Sequence, residues 1–315
     1  MVSIEETYRS IALIRAFEDR AMELKTAGEI PGSIHLCSGQ EAIPVGACRE
    51  LEARDAVSAT YRGHGWAIAR GIPPADIFAE LLGRESPLCG GRAGSPYFSS
   101  ARHGFLGENS IVGAGVPIAM GAALAARHDG SGAVSIVSIG DGALSQGAAH
   151  EALNFAAVFA LPLVVVVENN RYSEMTPISA MVRINPLARR ADGYGIPSAT
   201  VDGNDVDAVQ AAVREAVERA RQGEGPTLVE ALTERLVGHY SGDLQQYRPS
   251  GEVAAASERE PLARLRSSAG ARGATVVGRL VEIDQEVSRV IEQALADARS
   301  YPLPSPSTAR DHLYA

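Results

Sequence analysis

Two stretches of this sequence leave the backbone little choice. Residues 134–140 read VSIVSIG and residues 161–170 read LPLVVVVENN. Neither run alternates apolar with polar, and β-branched residues dominate both, so each is expected to be a short strand buried on both faces. Between them lies GAAHEALNFAAVFA, a helix of small and aliphatic residues. Strand, helix and buried strand describe two parallel strands joined by a helical crossover. The alternation continues on either side. AGVPIAMGAALAARH reads as a helix before the unit; DVDAVQAAVREAVERARQ (helix) and GPTLVEALT (strand) follow it. The expected fold class is therefore α/β, a doubly wound parallel sheet flanked by helices. Such sheets bind ligands beyond the carboxyl ends of their strands.

The rest of the chain frames that sheet. Apolar residues at Ile4, Tyr8, Ile11, Ile14 and Phe17 predict a long helix that stops at Gly28. Pro73 and Pro74 open a short helix at PPADIFAELLG. Residues 83–112 are Gly/Ser-rich and are expected to be irregular, and residues 236–255 read as a second polar loop. ATVVGRLVEIDQEVSRVIEQALADARS predicts a C-terminal helix, followed by a proline-rich tail. No repeat or linker divides the chain, so residues 1–315 are read as one domain. The small-residue helix AGVPIAMGAALAA suits either a subunit interface or close packing on the sheet.

Composition removes several classes of function. Aromatics are 5% of the residues and the net charge is −9, with no basic stripe, which argues against nucleic-acid and anionic-membrane binding. The longest apolar stretch, 156–167, is too short to span a bilayer. Lys25 is the only lysine, at the tail of an amphipathic helix, so neither a Schiff base nor a GK[ST] phosphate loop is available. GAGVPIAMG carries Ile118 where a dinucleotide fingerprint needs its third glycine, and no GxSxG is present. A non-catalytic scaffold would have no need of the charged residues described next. Cys37, Cys48 and Cys89 lack CxxC spacing, and MVSIEETYRS lacks the pattern of a signal peptide, so a reducing cytoplasm is the expected location.

Asp141 directly follows the first buried strand, and Asn170 follows the second, twenty-nine residues on. The crossover should set a carboxylate and a carboxamide side by side at the ligand edge. A hard cation that keeps phosphate ligands takes oxygens of this kind. Gly140 and Gly142 let the backbone approach a phosphate closely. Taken singly, Asp141 also reads as a helix N-cap and Asn170 as a turn residue.

GDG, about thirty residues, then NN resembles the thiamine-diphosphate motif. SIHLCSGQEA, YRGHG, IVGAGVPIAMGAALA, GDGALSQGAAHEALNFAA, LPLVVVVENNRY and ERLVGHYSGDLQQYR extend the likeness over nearly the whole chain. Their order is similar to that in alpha subunits of the decarboxylating component of 2-oxo acid dehydrogenase complexes of the pyruvate, acetoin and branched-chain type. The resemblance implies thiamine diphosphate and Mg2+ as cofactors. It implies metal ligation by Asp141, Asn170 and the Tyr172 carbonyl, diphosphate contacts from Tyr61, Arg62 and Arg235, a phosphate turn at Gly142 and Ala143, and a further cofactor contact from His239. Ser110 and Val112 would line the aminopyrimidine; His35 and His239 would flank the reacting centre as catalytic residues. It further implies a beta subunit that supplies a glutamate to the cofactor in an α2β2 heterotetramer, so that this chain is inactive alone. A lipoyl acyltransferase or an acyl carrier protein would accept the acyl unit.

Two departures stand out. GRAGSPYFSS replaces the usual GGSMHM, placing Tyr97 and Phe98 in a stretch expected near the entrance of the site. Tyr240 stands where mitochondrial members carry a regulatory serine. These leave one alternative, a transketolase-like transfer of a two-carbon ketol unit from a sugar phosphate to a carrier protein.

Overall fold

A computed structural model describes residues 2–311 of the chain. The strands in chain order are β1 (Ala56–Thr60), β2 (Phe105–Asn109), β3 (Ser135–Gly140) and β4 (Leu163–Asn169). A small ribbon of β5 (Tyr172–Ser173) and β6 (Thr176–Pro177) follows, then β7 (Ser198–Asp202) and β8 (Thr227–Leu232). The helices are α1 (Ile4–Thr26), α2 (Ala42–Cys48), α3 (His64–Ala69), α4 (Pro74–Leu81), α5 (Gly115–Asp129) and α6 (Gly147–Val158). Beyond β6 come α7 (Ile178–Met181), α8 (Val206–Arg221), α9 (Glu252–Ser257), α10 (Pro261–Arg272) and α11 (Ala274–Ser300). Among the described residues, six strands form one parallel sheet in the order β2-β1-β3-β4-β8-β7.

The expected doubly wound sheet is present, and β4 shows why its run of apolar residues is unbroken. Val164 and Val166 face one core with α1, α8 and α11, whereas Leu163, Val165 and Val167 face a second core with α5 and α6. Both faces of the strand are covered, so alternation with polar residues would bury unpaired polar groups at a cost of roughly 1–3 kcal/mol each. The β3–β4 register aligns Ile139 with Val167 and Gly140 with Glu168. Asp141 and Asn170 therefore leave adjacent strand ends at nearly the same level.

α1 runs as the spacing predicts. Ser3 caps it by accepting the Glu6 N–H, and Gly28 ends it at φ +79°, a left-handed conformation that glycine adopts without a Cβ penalty. Pro74 occupies the first turn of α4.

Of the six strands in the main sheet, the sequence reading missed three: β1, β2 and β7. Each spans only five residues. β2 corrects the expectation that residues 83–112 are irregular throughout. It contains Gly107 and the buried Glu108, so it has no β-branched run to advertise it. As an edge strand it is held by its pairing with β1, a contact between segments nearly fifty residues apart. No helix among the described residues is long and apolar enough to cross a membrane.

Candidate active site

Chain order and spatial order diverge at β1. The chain passes from β1 to β2 on one side and then crosses to β3 on the other. At such a reversal the connecting loops diverge and leave a crevice beyond the strand ends. Here the crevice is a cleft of ≈ 430 Å³. Tyr61 and Arg62 reach it from the end of β1, Ser110 and Val112 from β2, Asp141, Gly142 and Ala143 from β3, and Asn170 and Tyr172 from β4. Arg235 and His239, after β8, and His35, before α2, close it. The fold thus brings every residue assigned a metal, cofactor or catalytic role from the sequence to one cavity.

Asp141 is 1% exposed. Its Oδ1 accepts the Gly142 N–H at 2.7 Å, while the buried Oδ2 has no partner. Burial pushes the carboxyl up to about 6, against the Gly142 N–H and the Arg235 charge, which pull it down. Beside it, Asn170 donates from Nδ2 to Gln40 Oε1 at 2.9 Å, and its Oδ1 accepts the Tyr172 N–H at 3.3 Å. The Tyr172 side chain turns away, its hydroxyl donating to Glu252 at 2.7 Å.

Two cleft residues escaped the sequence reading. Gln40 Nε2 donates to Glu168 Oε2 at 2.8 Å, and Glu168 Oε1 accepts the Trp66 indole N–H at 2.6 Å and the Ser138 hydroxyl. Burial pushes the Glu168 carboxyl up, and these donors draw it back. Glu168 had a signal: a carboxylate that ends a wholly apolar strand must find donors inside the fold. Gln40 had none beyond its place in SIHLCSGQEA.

The cations are buried without counter-ions. Arg62 donates to the carbonyls of Leu36 and His239, the latter at 2.8 Å. Arg235, 1% exposed, donates to Glu174 O at 3.1 Å and to the Tyr247 hydroxyl at 3.0 Å, and its Nε is unpartnered. Neither forms a salt bridge among the described residues. Burial and the neighbouring Arg62 both pull the Arg235 pKa down. Desolvated guanidiniums held this way are costly unless an anion joins them.

The histidines respond to the same field. Burial, then the Arg62 charge, pushes His35 down to about 3; the same two causes and Arg235 push His239 down to about 4. Both imidazoles are neutral at pH 7. Their rings meet edge-on at 5.1 Å, with Tyr61 4.4 Å from His35, and His35 Nδ1 has no partner. Asp243 closes the 239–247 turn by accepting from the His239 N–H, the Gln245 N–H and the Tyr247 hydroxyl.

The remaining histidines fall elsewhere. His64 is buried between Glu18 and Ser95, at 2.8 and 2.9 Å, and His103 is paired with Ser100. His128 is exposed, His150 meets the Tyr194 hydroxyl, and His312 lies outside the described residues. The expectation for Tyr97 and Phe98 needs correction. Phe98 is buried against Phe105, at 5.8 Å, and Tyr97 is 54% exposed; neither lines the cleft. The aromatic residue fills the core under the edge strand rather than the entrance. Close packing of the small-residue helix is observed: Gly115, Ala119 and Ala123 of α5 are buried, while Ile118 and Leu124 are exposed.

Arginines without counter-ions, a close-approach turn and a carboxylate with a free oxygen, all at the switch point of a parallel sheet, define a class: a protein that holds a phosphorylated cofactor at its strand ends. A family model described as "Dehydrogenase E1 component" matches residues 9–307. The chain belongs to this family, the thiamine-diphosphate-dependent oxidoreductases of 2-oxo acid dehydrogenase type, as an alpha subunit. It is 40% identical to the alpha subunit of acetoin:2,6-dichlorophenolindophenol oxidoreductase of Bacillus subtilis over 308 residues, 98% of this chain and 92% of that one. The counterpart from Cupriavidus necator is also 40% identical, over 98% of this chain and 92% of its own. The pyruvate dehydrogenase E1 component subunit alpha of Rhizobium meliloti is 39% identical, over 96% of this chain and 87% of its own. That these relatives are alpha subunits implies a beta subunit as partner.

The residues present fit the cofactor that the family implies. Two buried guanidiniums without counter-ions suit its diphosphate, and the orphaned Asp141 Oδ2 suits a hard cation.

Proposed function

We propose that the whole chain serves as the diphosphate-binding domain of an E1 component that decarboxylates a 2-oxo acid such as pyruvate, or cleaves acetoin, with Mg2+ and thiamine diphosphate as cofactors. The observation that carries this reading is the buried, unpartnered Asp141 Oδ2 in a cleft with two unpaired arginines. Asp141, Asn170 and the Tyr172 carbonyl would hold the metal, Tyr61, Arg62 and Arg235 the diphosphate, and His239 would contact the cofactor near its reacting centre. Ser110 and Val112 would bound the aminopyrimidine, and Gly142 and Ala143 would carry the turn under the phosphates. When bound, the cofactor supplies the electron sink that carbon–carbon cleavage beside a carbonyl requires.

The chain's own groups do the rest. The arginine pair orients the anion by charge-assisted hydrogen bonds. His35 and His239, neutral at pH 7, can each accept a proton or donate a hydrogen bond toward a developing oxyanion. A beta subunit would complete the site with a glutamate in an α2β2 assembly, and a lipoyl group of an acyltransferase, or an acyl carrier protein, would take the acyl unit. A cytoplasmic location accords with three free cysteines. No observation favours ketol transfer from a sugar phosphate over this reading.

Calorimetry on the purified alpha–beta pair tests the proposal. Thiamine diphosphate should bind only when Mg2+ is present, and Asp141→Ala should abolish that uptake. Metal-independent binding, or full turnover by the variant across a panel of 2-oxo acids and acetoin, overturns it.

A further inference from the structure

Behind the β4 loop lies a second cavity. Its volume is ≈ 680 Å³, larger than the ≈ 430 Å³ of the active-site cleft. Its apolar lining comes from Ile178, Val182, Ile184, Leu187 and Leu232. The same lining carries four arginines and two glutamates. Arg248 pairs with Glu252 at 2.8 Å and Arg259 with Glu234 at 2.8 Å, so both carboxylates are taken. Arg171 and Arg183, both exposed to solvent, form neither a salt bridge nor a side-chain hydrogen bond among the described residues, and they leave the lining with an excess of positive charge.

We infer that this cavity is a second ligand site, for a small amphipathic phosphate monoester. A guanidinium fork matches phosphate oxygens bidentately, and two forks without carboxylate partners select an anion. The apolar lining residues suit an apolar body on the same molecule. A wholly polar anion would leave the apolar lining in water, and a neutral hydrocarbon would make no use of the two arginines. The volume falls within the range of roughly 300–1,000 Å³ typical of small-molecule sites.

The site stands back to back with the proposed metal loop. Asn170 and Tyr172 line both cavities. Tyr172 is also tied to the second cavity's wall, since its hydroxyl donates to the same Glu252 that pairs with Arg248. An anion that draws Arg248 or Arg171 toward itself pulls on the segment that carries the Tyr172 carbonyl. Occupancy of one cavity therefore bears on affinity in the other, and the coupling is reciprocal.

The test uses the alpha–beta complex. With thiamine diphosphate and Mg2+ saturating, the diphosphate-binding arginines are filled, and hexyl phosphate is titrated by calorimetry. Expected are one site per alpha chain, affinity at least tenfold above that for inorganic phosphate or 1-hexanol, and at least tenfold weaker binding in Arg183→Gln and in Val182→Asp. Arg183→Gln should keep wild-type turnover, which separates this site from the cofactor site. Saturating hexyl phosphate should shift the affinity for thiamine diphosphate at least threefold. Absence of saturable heat, equal binding by wild type and Arg183→Gln, inorganic phosphate binding as tightly as the ester, or an unchanged cofactor affinity overturns the inference. These results are independent of whether the complex turns over a 2-oxo acid.

Discussion

Asp141→Asn should stabilise the chain in the absence of cofactor while destroying its response to metal. The substitution keeps an oxygen to accept the Gly142 N–H, so it isolates the charge. Burial raises the folded-state pKa of Asp141 from 3.8 to about 6. Below pH 3.8 the carboxyl is protonated in both states and contributes nothing. Between 3.8 and about 6 the unfolded chain ionises first, and folding becomes less favourable as pH rises. Above that window the penalty is constant, and at about 1.4 kcal/mol per pH unit it comes to ~3 kcal/mol. Trp66 is the only tryptophan of the chain and is 1% exposed, so urea unfolding of the metal-free chain can be followed by its fluorescence. At pH 7.5 the variant should be more stable than wild type by ~3 kcal/mol, and the gap should close as pH falls through the window. With the beta subunit, Mg2+ and thiamine diphosphate should raise the melting temperature of wild type but not of the variant. A variant less stable than wild type at pH 7.5 without metal, or a gap independent of pH, refutes the reasoning.

Three further outcomes are expected. A Cβ at Gly142 would lie 2.8 Å from Ser173 Cβ, so Gly142→Ala should weaken metal-dependent cofactor binding at least tenfold, and adding Ser173→Gly should restore it; calorimetry on the double variant decides. Arg62→Lys loses the fork that spans the Leu36 and His239 carbonyls, each charged hydrogen bond being worth roughly 1.5–3 kcal/mol, and the cofactor dissociation constant should rise about 10- to 100-fold. NMR titration should find His35 and His239 with midpoints near 3 and 4 in the free chain; inorganic pyrophosphate should move both upward by neutralising Arg62 and Arg235, and midpoints near 6.5 in the free chain would contradict the buried, cationic setting.

Legibility followed the range of the interactions. β3, α6 and β4 were readable because burial on both faces forces a local pattern, an unbroken apolar run, and because helix propensity acts over a few residues. α1 declared its end through Gly28. β1, β2 and β7 were not readable, since five-residue strands owe their state to pairing with segments distant in sequence. In the site, Asp141 and Asn170 followed from position at strand ends, and Arg62, Arg235 and the histidines came through the family likeness. The Gln40–Glu168–Trp66 chain of hydrogen bonds joins α2's entry, β4 and α3, and nothing in any one of those segments announces the others.

The sequence by itself determined the strand–helix–strand unit, the placement of a carboxylate and a carboxamide at its ligand edge, and the glycines that let a phosphate come close, because each depends on neighbours along the chain. The tertiary structure alone decided that Arg62 and Arg235 lie buried without counter-ions, that His35 and His239 are held neutral beside them, and that Tyr97 and Phe98 stay out of the cleft. It alone disclosed the second cavity behind the Asn170 loop. Burial and electrostatic fields are sums over groups that only folding brings together, and no local pattern encodes them.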